Sequence, residues 1–206
     1  MQVDGWYIEL DEVEGRRPAP APAPPVDVPA LSEYDHMIAH HAEAAGLDWR
    51  LVSAVIYEES RFKPDSVSDA GAYGLMQVMP IAAQDVGELH FREPEANIRT
   101  GVRYMQRLLR EYAGAGERDG QALMLAAYNM GMAHVQDAQR LARRFGYDAL
   151  RWDGAMDVMV SLLEEPQVYE QMPAGVAQGR SVVAYVNRVL ERYALYRREF
   201  PPQPPG

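Results

Sequence analysis

Two adjacent glutamates, Glu58 and Glu59, close an apolar stretch and stand just before a loop rich in glycine and small polar residues. A carboxyl group serves as general acid or base when its surroundings bring its pKa near the working pH. Residues three, four and seven apart share one side of a helix, so Val52, Val55, Ile56 and Glu59 fall on one face. On this reading Glu59 continues an apolar stripe, where lost hydration disfavours the charged form. Lys63-Pro64 turns the chain out of helical geometry soon afterwards, so Glu59 sits in the last turn beside the negative end of the helix dipole. Both effects favour a protonated Glu59. Glu58 lies about 100° further round, with Leu51 and Ala54, and reads as a rim or solvated residue. The proton chemistry is therefore assigned to Glu59.

The following loop carries Ser66, Ser68, Asp69, Gly71 and Gly74, with glycine where backbone must take positive φ or approach something closely. It runs into Leu75-Met76-Gln77-Val78-Met79, one amide among soft apolar side chains. Gln77 can bridge two loops, because a buried amide must find partners. Met76 and Met79 read as core, and Asp65 and Asp69 as local backbone caps. Tyr128 and Asn129 precede Gly131 at a helix end, a pattern that suits a simple cap. His36, His40 and His41 place two imidazoles four apart on a helix, but no third ligand follows at useful spacing, so they read as a solvated face and no metal site is assigned. His134 reads as a packed or capping histidine. The arginines at 140, 143, 144, 188, 192, 197 and 198 read as solvated faces.

Helices carry these residues. The sequence predicts helices over 32–45, from a cap at Asp48 to the Glu59 turn, and over 80–86 with Pro80 at the first position and Gly87 at the end. Further helices are predicted from about Asn97 to Gly114, over 121–129, 132–145 and 155–164, and along a C-terminal stretch marked by Val182, Val186, Val189, Tyr193 and Tyr196, ended by Pro201. No alternating strand pattern of useful length lies inside this region. The segment Trp6-Tyr7-Ile8 is the one apolar cluster near the start and suits a stray strand. Residues 18–29, PAPAPAPPVDVP, favour extended polyproline II and act as a spacer. The division is an acidic tail and flexible Ala-Pro linker over 1–30, a catalytic domain over 31–200 and a Pro-rich tail over 201–206.

At 206 residues and 48% hydrophobic, the chain can bury one ordinary core, and disorder throughout is excluded. A formal charge of −10 opposes non-specific binding to nucleic acid or anionic membrane, both of which need a positive field. Without cysteine there is no disulfide framework and no thiolate metal site. No run of about 18 apolar residues and no basic-then-apolar leader occurs, so neither a membrane span nor an export signal is expected in the chain as given.

Read together, these motifs resemble the soluble lytic transglycosylase catalytic domain, an all-α, lysozyme-like fold that cleaves bacterial peptidoglycan. The resemblance covers residues 31–200. Glu59-Ser60 matches the family's Glu-Ser pair, and residues 68–80, SDAGAYGLMQVMP, match its Ser-x-x-Gly-Ala-x-Gly-Leu-Met-Gln-x-Met-Pro run. Asn97-Ile98 through Tyr104 is similar to Asn-Ile-x-x-Gly-x-x-Tyr, Ala127-Tyr128-Asn129-Met130-Gly131 to Ala-Tyr-Asn-x-Gly, and Tyr185-Val186 to the terminal Tyr-Val. Residues 133–138 and the 179–193 ending resemble the membrane-bound F-type subgroup, whose usual upstream domain and export signal are not in this chain. Ser181 stands where relatives often have an acid.

The resemblance implies Glu59 as catalytic residue and Ser60, Ser68, Gln77, Met79, Tyr128, Asn129 and Tyr185 at the substrate. Tyr128 and Ser68 would orient the N-acetyl group, Gln77 would contact sugar, Met79 would line the glycan groove, Tyr185 would sit near Glu59, and Asn129 would be a structural tie. It implies peptidoglycan glycan strands as partner, no metal or organic cofactor, and a place in the periplasm or cell envelope, at the outer membrane if a lipoprotein signal was removed. Ordinary glycosidases flank the bond with two carboxylates. Only Glu59 is placed convincingly here, which suits a lytic transglycosylase forming 1,6-anhydromuramyl ends. A goose-type-lysozyme-like hydrolase using Asp65 or Asp69, and an inactive peptidoglycan-binding module, are the alternatives.

Overall fold

The computed structural model describes residues 2–3, 6–7 and 32–201. Near the start Gln2–Val3 (β1) and Trp6–Tyr7 (β2) pair antiparallel, Gln2 opposite Tyr7. The Ala-Pro linker and the residues beyond Pro201 lie outside the described residues. The stretch read as one domain divides into two compact units, one of residues 108–187 and the other of 32–107 with 188–201.

The second of these units carries Glu59. Its helices are α1 (Asp35–Ala44), α2 (Trp49–Ser60), α3 (Pro80–Asp85), most of α4 (Pro94–Glu111) and the C-terminal half of the last helix, α9 (Gly179–Glu199). Helix α1 packs on α2. It starts at Asp35 rather than at Ser32, whose hydroxyl instead donates to the Asp35 carboxylate (3.1 Å) and accepts from Tyr34 N–H (3.3 Å). Asp48 caps α2 as expected, accepting from Arg50 N–H at 2.9 Å. Helix α4 begins at Pro94, three residues earlier than expected, because proline is at ease in a first turn where its missing N–H is no loss.

Helix α2 is buried on nearly every side. Leu51, Val52, Ser53, Ala54, Val55 and Ile56 are all within 1% of full burial. A helix apolar all round belongs to an interior, and burying Leu51, Val52, Val55 and Ile56 contributes about 6–12 kcal/mol as an upper figure. This corrects the reading of Glu58 as a rim or solvated residue: Leu51 and Ala54, on its side of α2, are as buried as Val52, Val55 and Ile56. A stripe argument presupposes one face in water, and over this stretch α2 has none.

The other unit is built on α5 (Glu117–Met130), α6 (Met132–Arg144), α7 (Asp157–Leu162), the short α8 (Pro166–Tyr169) and the N-terminal half of α9. Helix α5 packs on α6, and α6 on α7. The helix expected from Ala155 begins only at Asp157, because a wide turn over Trp152–Met156 intervenes with Gly154 at φ 74°. Helix α8 was not expected, and Pro166 opens it at its first position. Gly179 starts α9 against the Val160 carbonyl, where an added Cβ would lie 1.8 Å from the oxygen, so no side chain fits.

Candidate active site

Glu59 lies in the last turn of α2, part-buried, and the helix stops one residue later. The stop comes before Lys63-Pro64. Arg61 and Phe62 both take left-handed backbone, φ 55° and 59°, a conformation costly for residues with side chains. Ser60 is buried, and its hydroxyl donates to the Leu75 carbonyl at 2.8 Å, with the Ile56 carbonyl at 3.2 Å. This one hydroxyl proton, turned inward, joins the end of α2 to the glycine loop.

The loop, residues 61–79, is braced by three devices. Tyr73 exchanges backbone hydrogen bonds with Val78 (3.1 and 2.9 Å), giving an irregular bridge. Ser66 carbonyl accepts from Gly74 N–H (2.8 Å) and from Gln77 Nε2 (3.0 Å). Asn97, fully buried in the first turn of α4, accepts from Met76 N–H at 2.9 Å and donates to the carbonyls of Tyr73 (2.9 Å) and Phe91 (3.0 Å). Glycine is required at 74, where φ is 81° and a Cβ would stand 2.5 Å from Asn97 Nδ2. At Gly101 a Cβ would stand 2.5 Å from Met76 Sδ and 2.9 Å from its Cβ, so Met76 would have to shift.

Within this frame the expected site residues are placed as follows. Gln77, at φ 45°, spends its amide N–H groups on the Ser66 and Gly74 carbonyls (3.0 and 2.9 Å), so the bridging role is occupied and its Oε1 remains as acceptor. Ser68 accepts from Ala72 N–H at 3.0 Å through its hydroxyl, which keeps its own proton to donate. Met79 is part-buried at the cap of α3, ahead of Pro80, and Met76 is fully buried core. Asp65 accepts from the Tyr73 hydroxyl at 3.3 Å, a loop tie, while Asp69 is exposed. In the other unit, Tyr128 is part-buried in the last turn of α5, and Tyr185 is buried on α9. Asn129 is exposed beside Tyr128.

Glu58 departs most from expectation. Its side chain is 2% exposed and accepts from Arg188 Nε and Arg192 Nε at 3.1 Å each, with Arg61 Nη1 at 3.4 Å. Burial pushes its pKa up, but the Arg188 and Arg192 hydrogen bonds and the field of Arg61 outweigh this and hold it below the ordinary carboxylate range. Arg192 is itself buried and stacks on the Tyr57 ring, guanidinium carbon 3.4 Å from the centroid, while Arg61 covers the same ring at 4.0 Å. Arg188 and Arg192 are therefore not the solvated face they were read as. Arg140 is likewise paired, with the fully buried Asp137. His41 Nε2 faces the Glu95 carboxylate at 3.4 Å, and its pKa is lowered chiefly by burial.

Sequence reasoning passed over Asn97 and Glu58 as organisers. A signal existed for each: Asn97 is four residues before Gly101 and eight before Met105, on the buried side of α4, and Glu58 follows Leu51 and Ala54 at helical spacing. Among the described residues no helix is long and apolar enough to cross a membrane.

A family model described as Transglycosylase SLT domain matches residues 36–150, and the chain belongs to that family. Similar curated proteins are named membrane-bound lytic murein transglycosylase F. The one from Desulfosudis oleivorans is 34% identical over 170 residues, covering 82% of this chain and 37% of its own length. One from Alkalilimnicola ehrlichii is 39% identical over 169 residues, covering 82% and 34%. The chain thus spans about a third of the length of these relatives. An inactive Glu→Gln mutant of lytic transglycosylase Slt from Pseudomonas aeruginosa superposes with a TM-score of 0.57 at 25% identity, over 84% of this chain and 25% of that one. The 70 kDa soluble lytic transglycosylase from Escherichia coli gives 0.59 at 21% identity, over 82% and 24%. The all-α, lysozyme-like fold class is the one the motifs implied.

Proposed function

We propose that this chain is a peptidoglycan lytic transglycosylase domain that cleaves the β-1,4 bond between N-acetylmuramic acid and N-acetylglucosamine, with Glu59 as acid and then base. One observation carries the choice of Glu59. Glu58 is held ionised by three arginines and has no proton to give at neutral pH, so of the two adjacent carboxyls Glu59 is the one suited to proton transfer. Membership of the SLT family and relatives named as lytic murein transglycosylases support the reaction. The inactive Glu→Gln mutant among the structural neighbours supports a glutamate as its centre.

In the first step the substrate's N-acetyl oxygen attacks the anomeric carbon as Glu59 protonates the leaving oxygen. In the second, the Glu59 carboxylate takes the proton of the same sugar's 6-hydroxyl, which displaces the acetamido oxygen and closes a 1,6-anhydro ring. Proton and electron pairs balance without water. Ser68 and Tyr128 orient the acetamido group, Gln77 accepts from a sugar hydroxyl through Oε1, and Met79, Asn129 and Tyr185 complete the substrate contacts. Such groups accelerate the step only to the extent that they bind the charge-separated transition state better than the ground state. Asp65 is tied to Tyr73, which suits the single-carboxylate route over one with a water held by a second acid. The substrate places the enzyme in the periplasm or cell envelope, and residues 1–30 serve as a tail and linker to the domain over 31–200.

The test is digestion of purified sacculi in heavy-oxygen water, followed by mass analysis. Anhydro ends carry no solvent oxygen, and Glu59→Gln lowers the rate by at least about 10²-fold with the fold intact. Solvent oxygen at most new reducing ends, lost in Asp69→Asn, would replace the transglycosylase with a lysozyme-like hydrolase. No turnover at all by the wild type would leave a binding module.

A further inference from the structure

Helix α2 is gripped at both ends by one half of α9. At its start, Asp48 accepts from Arg50 Nε at 2.8 Å and from the Tyr193 hydroxyl at 2.9 Å, and Arg50 Nη1 donates to the Phe200 carbonyl at 2.8 Å. At its end, Glu58 takes Arg188 and Arg192, one helical turn apart on α9. The second grip is the one with no evident need. The core of α2 is already buried, and two arginines with one carboxylate out of water form a costly way to add stability, since the desolvation penalty can exceed the Coulombic gain.

A local reason lies one residue further on. The turn that carries Glu59 runs straight into Arg61 and Phe62, both left-handed without being glycine. Such residues persist only where the surroundings over-determine them, and left to itself the end of α2 would relieve them by unwinding. Ser60 resists this by its bond to Leu75, and Glu58 resists it from the adjacent position through two Nε contacts on a rigid helix. Arg192 is fixed in turn by its stack on Tyr57, one residue before Glu58. Residues 57, 58 and 60 are thus each fastened, and Glu59 lies between fastened neighbours.

We propose that Glu58, Arg188 and Arg192 form a positioning device for Glu59, resting on the reading of Glu59 as the acid and base: the ion-pair hub holds the last turn of α2 against strain, so that the neighbouring carboxyl keeps one place. Glu58 is a positioning residue and touches no substrate. Its loss costs turnover rather than binding, because a displacement of about 1 Å at a proton-transfer group can cost 10²-fold in rate.

The experiment compares Glu58→Gln, Arg192→Gln and Arg192→Lys with wild type on soluble glycan strands, at a temperature where thermal melts show each protein folded. Val160→Ala, a buried substitution in the other unit, serves as a control that lowers the melting temperature. The expected result is a fall in kcat per folded molecule of at least about tenfold for Glu58→Gln and Arg192→Gln, with KM changed less than about twofold, and recovery of most of the rate in Arg192→Lys. Val160→Ala keeps its kcat. Should Glu58→Gln fail to fold, Arg188→Gln, at a side chain 36% exposed, asks the same question with less damage. Lowered melting temperatures with wild-type kcat per folded molecule would overturn the proposal and leave the hub a stabiliser. Undiminished activity in Glu59→Gln would instead sink the assignment of the acid, a separate outcome.

Discussion

Asn97→Ala is the substitution whose cost follows most directly from the geometry. The side chain is fully buried and makes three hydrogen bonds of 2.9–3.0 Å, two to backbone of the loop it braces and one to the Phe91 carbonyl. Truncation leaves the Met76 N–H and the Phe91 carbonyl without their partner, while the Tyr73 carbonyl keeps the Val78 N–H at 2.9 Å. An unsatisfied buried polar group costs about 1–3 kcal/mol, and water entering the vacated space moderates this, so the sum over the two groups is about 2–5 kcal/mol. Against a total stability of about 5–15 kcal/mol this is large, and at about 2–4 °C per kcal/mol it corresponds to a fall of about 4–20 °C in melting temperature. Asn97→Asp sharpens the test. It keeps an acceptor for Met76 N–H but turns a carboxylate oxygen on two carbonyls, so it destabilises at least as much as alanine. Calorimetry measures the melting temperature, and sacculus digestion measures the rate below the transition, where kcat also falls because the loop holding Ser68 and Gln77 loses its brace. A melting temperature within about 2 °C of wild type for Asn97→Ala would refute the claim that this residue holds the loop.

Gly101→Ala is expected to destabilise despite the gain of about 1 kcal/mol in helix propensity, because its Cβ meets Met76 Sδ at 2.5 Å and Cβ at 2.9 Å, and overpacking costs about 1–3 kcal/mol; a raised melting temperature would contradict this. For Asp48, burial pushes the pKa up, but the hydrogen bonds from Arg50 and Tyr193 outweigh it and hold the folded-state value low. That stability is present above the unfolded value of about 4 and is lost as pH falls through the folded value, so the deficit of Asp48→Asn, roughly 1–2 kcal/mol at neutral pH, should shrink in melts below about pH 4. Burial and the bond to Asp48 raise the Tyr193 pKa to about 12; its contribution is full below about pH 10 and lost as pH rises through the folded value, which tyrosinate absorbance of wild type against Tyr193→Phe will show. A chain beginning at Ala30 is expected to keep its melting temperature and turnover, since an Ala-Pro spacer has little to pack with; a large loss of either would show that the first residues dock.

Features that depend on local chemistry and on order along the chain could be read from the residues alone. The helical class, Asp48 as the cap of α2, Pro80 opening α3 and the glycine at 74 were all legible, because a cap, a fixed proline φ and a positive-φ turn act within a few residues. So was the Glu59 motif with its loop. Which polar groups are buried, and with whom, depends instead on packing between residues far apart in the chain. Glu58 finds Arg188 and Arg192 some 130 residues away, and Asn97 reaches back 21 residues to Met76. Ser60 and Gln77, expected to face substrate, turn hydrogen-bond donors onto backbone carbonyls of the loop. Helical periodicity says which side chains share a face, but whether that face meets water is set by elements distant in sequence, and around α2 they cover it on both sides.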